Sequence, residues 1–146
     1  MRRAVSTAYY ALYHLLVIAG SRAMAPPKPD KLRVRVQRAF VHAEMKNVCL
    51  QFRQGGVGHL STALQSLISA PLSHDIADVA DAFVELQEAR FAADYDASEV
   101  FSRPDVLALI DTVDQAFTSW KTVKETPNAN VFLVALLLSR KWRSDG

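Results

Sequence analysis

The sequence predicts an all-α protein, an up-and-down bundle of about five helices that forms a single domain over residues 1–146. Three observations support this fold class. Apolar residues recur at helical spacing in several long segments. Glycines and prolines fall mainly between those segments, where they end helices. Half of the residues are apolar, so a chain of 146 residues can bury a core without disulfide bonds.

The first predicted helix runs from about Arg3 to Ala19, and Gly20 is a natural stop for it. Its apolar side chains lie three or four residues apart: Val5, Ala8, Tyr9, Leu12, Leu15, Leu16 and Ala19. Residues 25–30 contain three prolines, which predicts a loop. Asp30 is then a candidate N-cap for a second helix.

The second predicted helix runs from about Lys31 to Arg53 without interruption and ends at the glycine-rich residues 54–58. Its inner side chains are spaced by seven, four, three and four residues: Val34, Val41, Met45, Val48 and Phe52. A short third helix holds Leu60 to Ile68 and ends before Pro71.

Three further segments complete the predicted bundle. Ser73 is expected to cap a long helix that reaches about Tyr95, and Ser102 is expected to cap the next one. Pro127 turns the chain into a last segment over residues 129–142. The apolar run at 131–138 has the composition of a strand, but no second strand is present to pair with it, so a buried helix is predicted.

Composition also bounds the class of protein. Cys49 is the only cysteine, which excludes an internal disulfide and fits a reducing cytoplasm. The start of the chain has no signal-peptide pattern, and the longest uninterrupted apolar run is far shorter than the ~20 residues that a membrane span needs. We therefore expect a cytoplasmic protein without a membrane segment. Motifs for zinc, P-loop or dinucleotide sites are absent, so no metal and no cofactor are expected.

Charge is unevenly distributed along the chain. Residues 1–58 carry ten basic and two acidic side chains, whereas residues 59–118 carry two basic and eleven acidic ones. Such segregation indicates either a basic surface that faces an anionic partner or two oppositely charged faces that pair within the bundle. The sequence leaves both explanations open.

A basic stripe follows the predicted second helix. Six residues spaced three or four apart would share its outer face: Arg35, Arg38, His42, Lys46, Cys49 and Arg53. Arginine binds phosphate oxygens through two hydrogen bonds, and nearby positive charge lowers the pKa of a histidine so that it stays neutral enough to take a proton. The stripe therefore predicts a phosphate site with Lys46 and Arg53 as binding residues; the alternative is a solvated helix face. Cys49 itself is expected to be a small buried side chain and not a nucleophile.

Two other polar groups stand out. Tyr10 and His14 lie one turn apart on the first helix, where they either line a pocket for a base or ribose or belong to the core with their polar tips satisfied. Arg90 and Asp94 also lie one turn apart and can form an ion pair. Asp94 and Asp96 stand at a helix end whose dipole opposes them, so we expect a structural partner such as Arg2, Arg3 or Arg38.

These motifs together resemble the HEPN family of small helical nucleotide-binding and RNA-cleaving domains. The resemblance rests on the start RxAVSxAYYALxH, on the helix with arginines and a histidine, and on RxxxDYD near the end of a later helix. It covers residues 2 to 125. It implies a helical bundle that forms a two-fold homodimer and, in active members, a metal-independent endoribonuclease with an Arg-x4–6-His element from each subunit at the dimer cleft.

In such a site the arginine would steady the scissile phosphate and the histidine would help the 2′-hydroxyl attack it. Arg35 and His42, with six residues between them, fit the family spacing, whereas Arg38 is too close to His42 but shares the stripe. The candidate catalytic residues are therefore Arg35, Arg38 and His42, and the expected partner is RNA or a nucleotide. The alternative is a non-catalytic interaction module of a toxin–antitoxin-like system, which would bind a nucleotidyltransferase-type partner.

Overall fold

The structure is a computed structural model that describes residues 1–143. Within that range it contains helices and no strands, which confirms the all-α prediction. It has seven helices there and not about five: α1 Arg2–Met24, α2 Asp30–Arg38, α3 His42–Phe52, α4 Thr62–Leu67, α5 His74–Tyr95, α6 Arg103–Val123 and α7 Pro127–Trp142.

Helix α1 is the centre of the bundle and packs against α5, α6 and α7. Its inner face is fully buried at Tyr9, Leu12 and Leu16. By length and composition α1 is apolar enough to cross a membrane, with a mean hydropathy of 1.2 over a window that is 44% buried. A long apolar helix at the centre of a bundle has the same composition, because its neighbours cover most of its surface.

The predicted second helix is interrupted, and this accounts for the one helix beyond the six segments named from the sequence. Residues 39–41 separate α2 from α3, and Phe40 in this linker is buried. The prediction of a continuous apolar stripe is wrong at two positions, because Val34 is 41% exposed and Val41 is 49% exposed. The buried Phe40 ring therefore lies in the linker between two separate helices.

Gly20 does not end α1 but provides the space for Phe40. The helix continues to Met24, and a Cβ atom added at Gly20 would lie 2.7 Å from Cζ of Phe40. The close packing of α1 against the linker therefore depends on the absence of a side chain at this residue.

Gly20→Ala is expected to lower the free energy of unfolding by about 1 kcal/mol, because displacement of the Phe40 ring outweighs the better helix propensity of alanine. Chemical denaturation measures the change. Gly58→Ala is the matched control, since a Cβ there meets nothing within 4 Å. An increase in stability for Gly20→Ala would show that Phe40 moves without cost.

The caps of the later helices follow the sequence closely. Ser73, Ser102 and Thr126 each accept a hydrogen bond from a backbone N–H in the first turn, and Ser102 with Asp105 forms a capping box. Asp30 is the first residue of α2 and makes no capping hydrogen bond. Residues 131–138 lie within α7, as predicted, and Phe132 packs on Phe52 at 5.0 Å between ring centroids.

Candidate functional site

Six polar and aromatic side chains from three helices meet on one side of the bundle, and we call them the tyrosine–histidine cluster. Helix α1 contributes four of them, α3 contributes one and α5 contributes one: Tyr9, Tyr10, Tyr13, His14, His42 and Arg90. The four α1 residues lie within residues 9–14, on the part of α1 that packs against α5 and meets His42 at the start of α3. Tyr9 is fully buried, whereas Tyr10, Tyr13 and His42 are half-buried and His14 is exposed.

His42 joins this cluster because it is the first residue of α3. The bend at residues 39–41 starts a new helix there, with Val41 as its N-cap. The imidazole stacks on Tyr13 with 4.4 Å between ring centroids and an angle of 18° between the planes. Gln87 of α5 donates a hydrogen bond to the His42 backbone carbonyl at 3.3 Å, which ties the start of α3 to α5.

The buried hydroxyl of Tyr9 forms a hydrogen bond of 2.5 Å with Nδ1 of His42. A phenol is the better donor and an imidazole nitrogen the better acceptor, so the tyrosine O–H donates to Nδ1. This assignment puts the remaining proton of the neutral imidazole on Nε2. Among residues 1–143, no group forms a hydrogen bond with Nε2. The ring therefore presents an N–H donor that is free to bind an acceptor.

The surroundings keep His42 neutral near pH 7. Burial is the main cause that lowers the pKa of His42, and the positive charge of Arg90 and the nearby His14 lower it further. The pKa of Tyr9 is raised, chiefly by burial, so its hydroxyl keeps its proton. A neutral imidazole N–H can bind an oxygen acceptor without the desolvation cost that a buried cation would carry.

Arg90 supplies the positive charge of the cluster. Its guanidinium lies 5.7 Å from the ring centroid of Tyr9 and 5.4 Å from that of Tyr10, and it donates a hydrogen bond of 3.2 Å to the Tyr10 hydroxyl. Its Nε lies 2.9 Å from a carboxylate oxygen of Asp94, although the N–H is not aligned for a hydrogen bond. Ser6 donates to the other oxygen of Asp94 at 3.1 Å. This network holds Arg90 against both rings.

The predicted basic stripe is not a single surface. His42 turns towards α1, and Cys49 is fully buried, where burial raises the pKa of its thiol. Lys46 lies 3.5 Å from Glu88, and Arg53 lies 2.7 Å from Asp81. The α3 cations thus pair with acids of α5. This pairing accounts for part of the charge segregation along the sequence.

Arg35 and Arg38 remain exposed on α2. Neither forms an ion pair or a side-chain hydrogen bond within the part of the chain that the structure describes. The interruption before α3 separates them from His42, because the three residues no longer share one helical face. Their guanidinium groups are available to bind an anion. Because α2 and α3 are separate helices, however, these arginines and His42 do not line one helical face.

The two aspartates near the end of α5 differ in role. Asp94 pairs with Arg90, as their spacing predicts, and not with Arg2, Arg3 or Arg38. Asp96 is fully exposed and accepts hydrogen bonds from Ser98, which are the main cause that lowers its pKa. Arg2 instead binds backbone carbonyls around the α5 terminus, including that of Ala93 at 2.6 Å. These contacts attach the start of α1 to the end of α5.

Sequence reasoning missed three participants in this site. Tyr9 was expected to be a core ring, but its hydroxyl determines the state of His42. Ser6 and Gln87 were not singled out, although one holds Asp94 and the other holds the start of α3. The helical spacing of Ser6, Tyr9, Tyr10 and Tyr13 was the available signal, since it places all four near one side of α1.

A second group of polar residues lies at the start of α5. His74, Asp75 and Asp78 place ligand atoms within 4.8 Å of one another, and His74 lies 3.7 Å from Asp75. Two of the three residues are exposed, and clusters of this composition are common at helix starts because acids stabilise the first turn.

The tyrosine–histidine cluster can therefore offer hydrogen-bond donors beside half-exposed aromatic rings. Such a combination suits a ligand that has both anionic oxygens and a flat ring. We compared the chain with protein-family models, with curated proteins and with solved structures, and none of these comparisons found a match.

Proposed function

We propose that the protein binds RNA or a nucleotide at the tyrosine–histidine cluster, with a phosphate near His42 and Arg90 and a base against the exposed tyrosine rings. The observation that carries this proposal is the hydrogen bond between the Tyr9 hydroxyl and Nδ1 of His42, which leaves Nε2 without a partner among residues 1–143. A half-buried donor beside a guanidinium suits a phosphate oxygen.

In the proposal, Arg35 and Arg38 bind backbone phosphates outside the cluster. They are exposed and unpaired within the described chain, whereas Lys46 and Arg53 are engaged by Glu88 and Asp81. We therefore assign backbone phosphates to the α2 arginines and give Lys46 and Arg53 a supporting electrostatic role. The proposed phosphate contacts therefore come from two consecutive helices, α2 and α3, and not from one stripe along a single helix.

Cleavage of RNA is expected to be weak or absent in this proposal. A general base for the 2′-hydroxyl needs a free nitrogen lone pair, but the hydrogen bond from Tyr9 leaves Nε2 as a donor. The HEPN resemblance further suggests a homodimer, in which the clusters of two copies would meet. A proton transfer from Tyr9 to His42 is disfavoured because the pKa of that phenol is raised.

The binding test uses a fluorescently labelled single-stranded RNA and measures anisotropy at several salt concentrations. His42→Phe keeps the ring but removes both nitrogens, and it is expected to weaken binding by about tenfold, the value of one lost charge-assisted hydrogen bond. His59→Gln is the control, since His59 is exposed in a loop. Equal affinity of the two variants would contradict the proposal.

The double substitution Arg35→Gln with Arg38→Gln tests the phosphate contacts separately. It is expected to reduce the slope of log K against log salt by about 1.4, or about 0.7 for each lost phosphate contact with a single strand. Lys28→Gln with Lys31→Gln removes two charges nearby and is the control. A salt slope equal to that of the control would exclude direct contacts from Arg35 and Arg38.

Incubation with a long RNA in the absence of metal tests the catalytic alternative. We expect no cleavage above background. If cleavage occurs and both His42→Ala and Arg35→Ala abolish it while the folded far-UV spectrum is retained, the protein is a nuclease and our assignment of His42 as a donor is wrong.

A non-catalytic interaction module is the second candidate function, and one observation favours it. Phe91 and Tyr95 on α5 are 62% and 69% exposed, with ring centroids 4.8 Å apart. Exposed aromatic pairs are typical of protein interfaces. The partner in this candidate is a basic protein of nucleotidyltransferase type, which acidic residues near the pair would attract. Co-purification that is lost in Phe91→Ser, together with absent RNA affinity, would favour this function over RNA binding.

A further inference from the structure

A groove on a different side of the bundle lies between the end of α1, the end of α6 and the start of α7. Its volume is about 460 Å³, within the range of about 300–1,000 Å³ that is typical of small-molecule sites. The floor is apolar and includes one fully enclosed aromatic ring system, that of Trp120, which is 5% exposed. Leu15, Ile18, Phe117 and Leu133 also belong to the floor.

The rim of the groove is basic. Arg22 comes from α1, and Lys121 and Lys124 come from the end of α6. All three are exposed, and none forms an ion pair with a carboxylate within residues 1–143, although Glu125 lies in the same rim. Three cations against one carboxylate give the mouth of an apolar groove a positive charge.

We propose that this groove binds an amphipathic anion, an acyl chain with a carboxylate head group. The chain would lie on Trp120 and the aliphatic floor, where it leaves water, and the carboxylate would contact Lys121, Lys124 and Arg22 at the rim. Asn130 is the one uncharged polar side chain in the lining, so the groove lacks the polar partners that a sugar or a nucleobase would require. This site is separate from the proposed RNA surface.

Lys121 is a last-turn residue of α6 and Lys124 is its C-cap, where positive charge also stabilises the helix dipole. If the lysines only stabilise the helix dipole, their replacement should change the stability of the protein but should not change which ligands it binds. Charge selectivity of binding therefore distinguishes a ligand site from a helix-stabilising pair.

The test monitors the fluorescence of Trp120 in full-length protein that carries Trp142→Phe, since the chain has two tryptophans. Decanoate, decanol and decyltrimethylammonium are titrated below their aggregation concentrations. The proposal expects a saturable change with decanoate, an affinity for decanol that is about tenfold weaker, and no saturation with the cation. Lys121→Gln with Lys124→Gln should bring decanoate to the affinity of decanol, whereas Lys28→Gln with Lys31→Gln should not.

A second variant tests whether the ligand lies in the groove itself, without a change in charge. Ala23 is exposed on α1 and lines the groove, so Ala23→Leu narrows the mouth without disturbing the core. It should weaken decanoate and decanol equally. The proposal is overturned if the three ligands bind with equal affinity, if none gives saturation, or if Ala23→Leu has no effect.

Discussion

Arg90→Leu is expected to lower the free energy of unfolding by about 2–4 kcal/mol, one of the largest effects of a single polar substitution in this protein. The substitution leaves the Asp94 carboxylate, which is one-third exposed, without its cation and removes the hydrogen bond to Tyr10. It also removes the guanidinium from the faces of the Tyr9 and Tyr10 rings. Urea denaturation at pH 7.5 measures the loss.

The same substitution should raise the pKa of His42. The charge of Arg90 is one of the causes that lower this pKa, so its removal moves the value back towards that of a free histidine. Proton NMR of the imidazole follows the titration. Arg90→Lys is the matched control, because it keeps the charge but not the fork of donors, and it should lower stability while leaving the His42 pKa low. A His42 titration that is unchanged in Arg90→Leu would contradict the assigned geometry.

Tyr9→Phe is expected to lower the free energy of unfolding by about 1–2 kcal/mol, because a partly buried imidazole nitrogen loses its hydrogen-bond donor. Its effect on function should be larger than its effect on stability. Without the phenol, the proton of His42 can occupy either nitrogen, so Nε2 is no longer held as a donor. We expect weaker RNA binding than in the wild-type protein, measured by anisotropy. Tyr13→Phe is the control, since no hydrogen bond of the Tyr13 hydroxyl exists within residues 1–143 and the ring stack on His42 is kept. Equal RNA affinity of Tyr9→Phe and wild type would exclude control of His42 by Tyr9.

The stability of the wild-type protein should fall when the pH is lowered below about 6.5, the pKa of histidine in an unfolded chain. The pKa of His42 is lower than this in the folded state, so between the two values the unfolded chain binds more protons than the folded one. The stabilising contribution of neutral His42 is therefore present above pH 6.5 and is lost on acidification through that window. Urea denaturation at pH 7.5 and 5.5 measures the loss, and His42→Gln should reduce it. An undiminished loss in that variant would assign the pH dependence to other groups.

Much of the fold could be predicted because its signals are local. The serine and threonine caps of α5, α6 and α7 depend on side chains within three residues of each helix start. The apolar run at 131–138 was assigned to a helix because no partner strand exists in the sequence, and α7 confirms it. The ion pair between Arg90 and Asp94 followed from one turn of helical spacing.

The amino-acid sequence alone determined the all-α class and the serine caps of α5 and α6, since these depend on neighbours along the chain. The end of α2 is seen only in the tertiary structure, where the linker after it carries Phe40 against Gly20, twenty residues earlier in the chain. The bend in this linker turned His42 from a predicted outer stripe to the hydroxyl of Tyr9, and it left the α3 cations to pair with acids of α5. Helical periodicity assumes one continuous helix. It placed Met45, Val48 and Phe52 correctly on the buried face, but it could not show that Val34 and Val41 are exposed around the break.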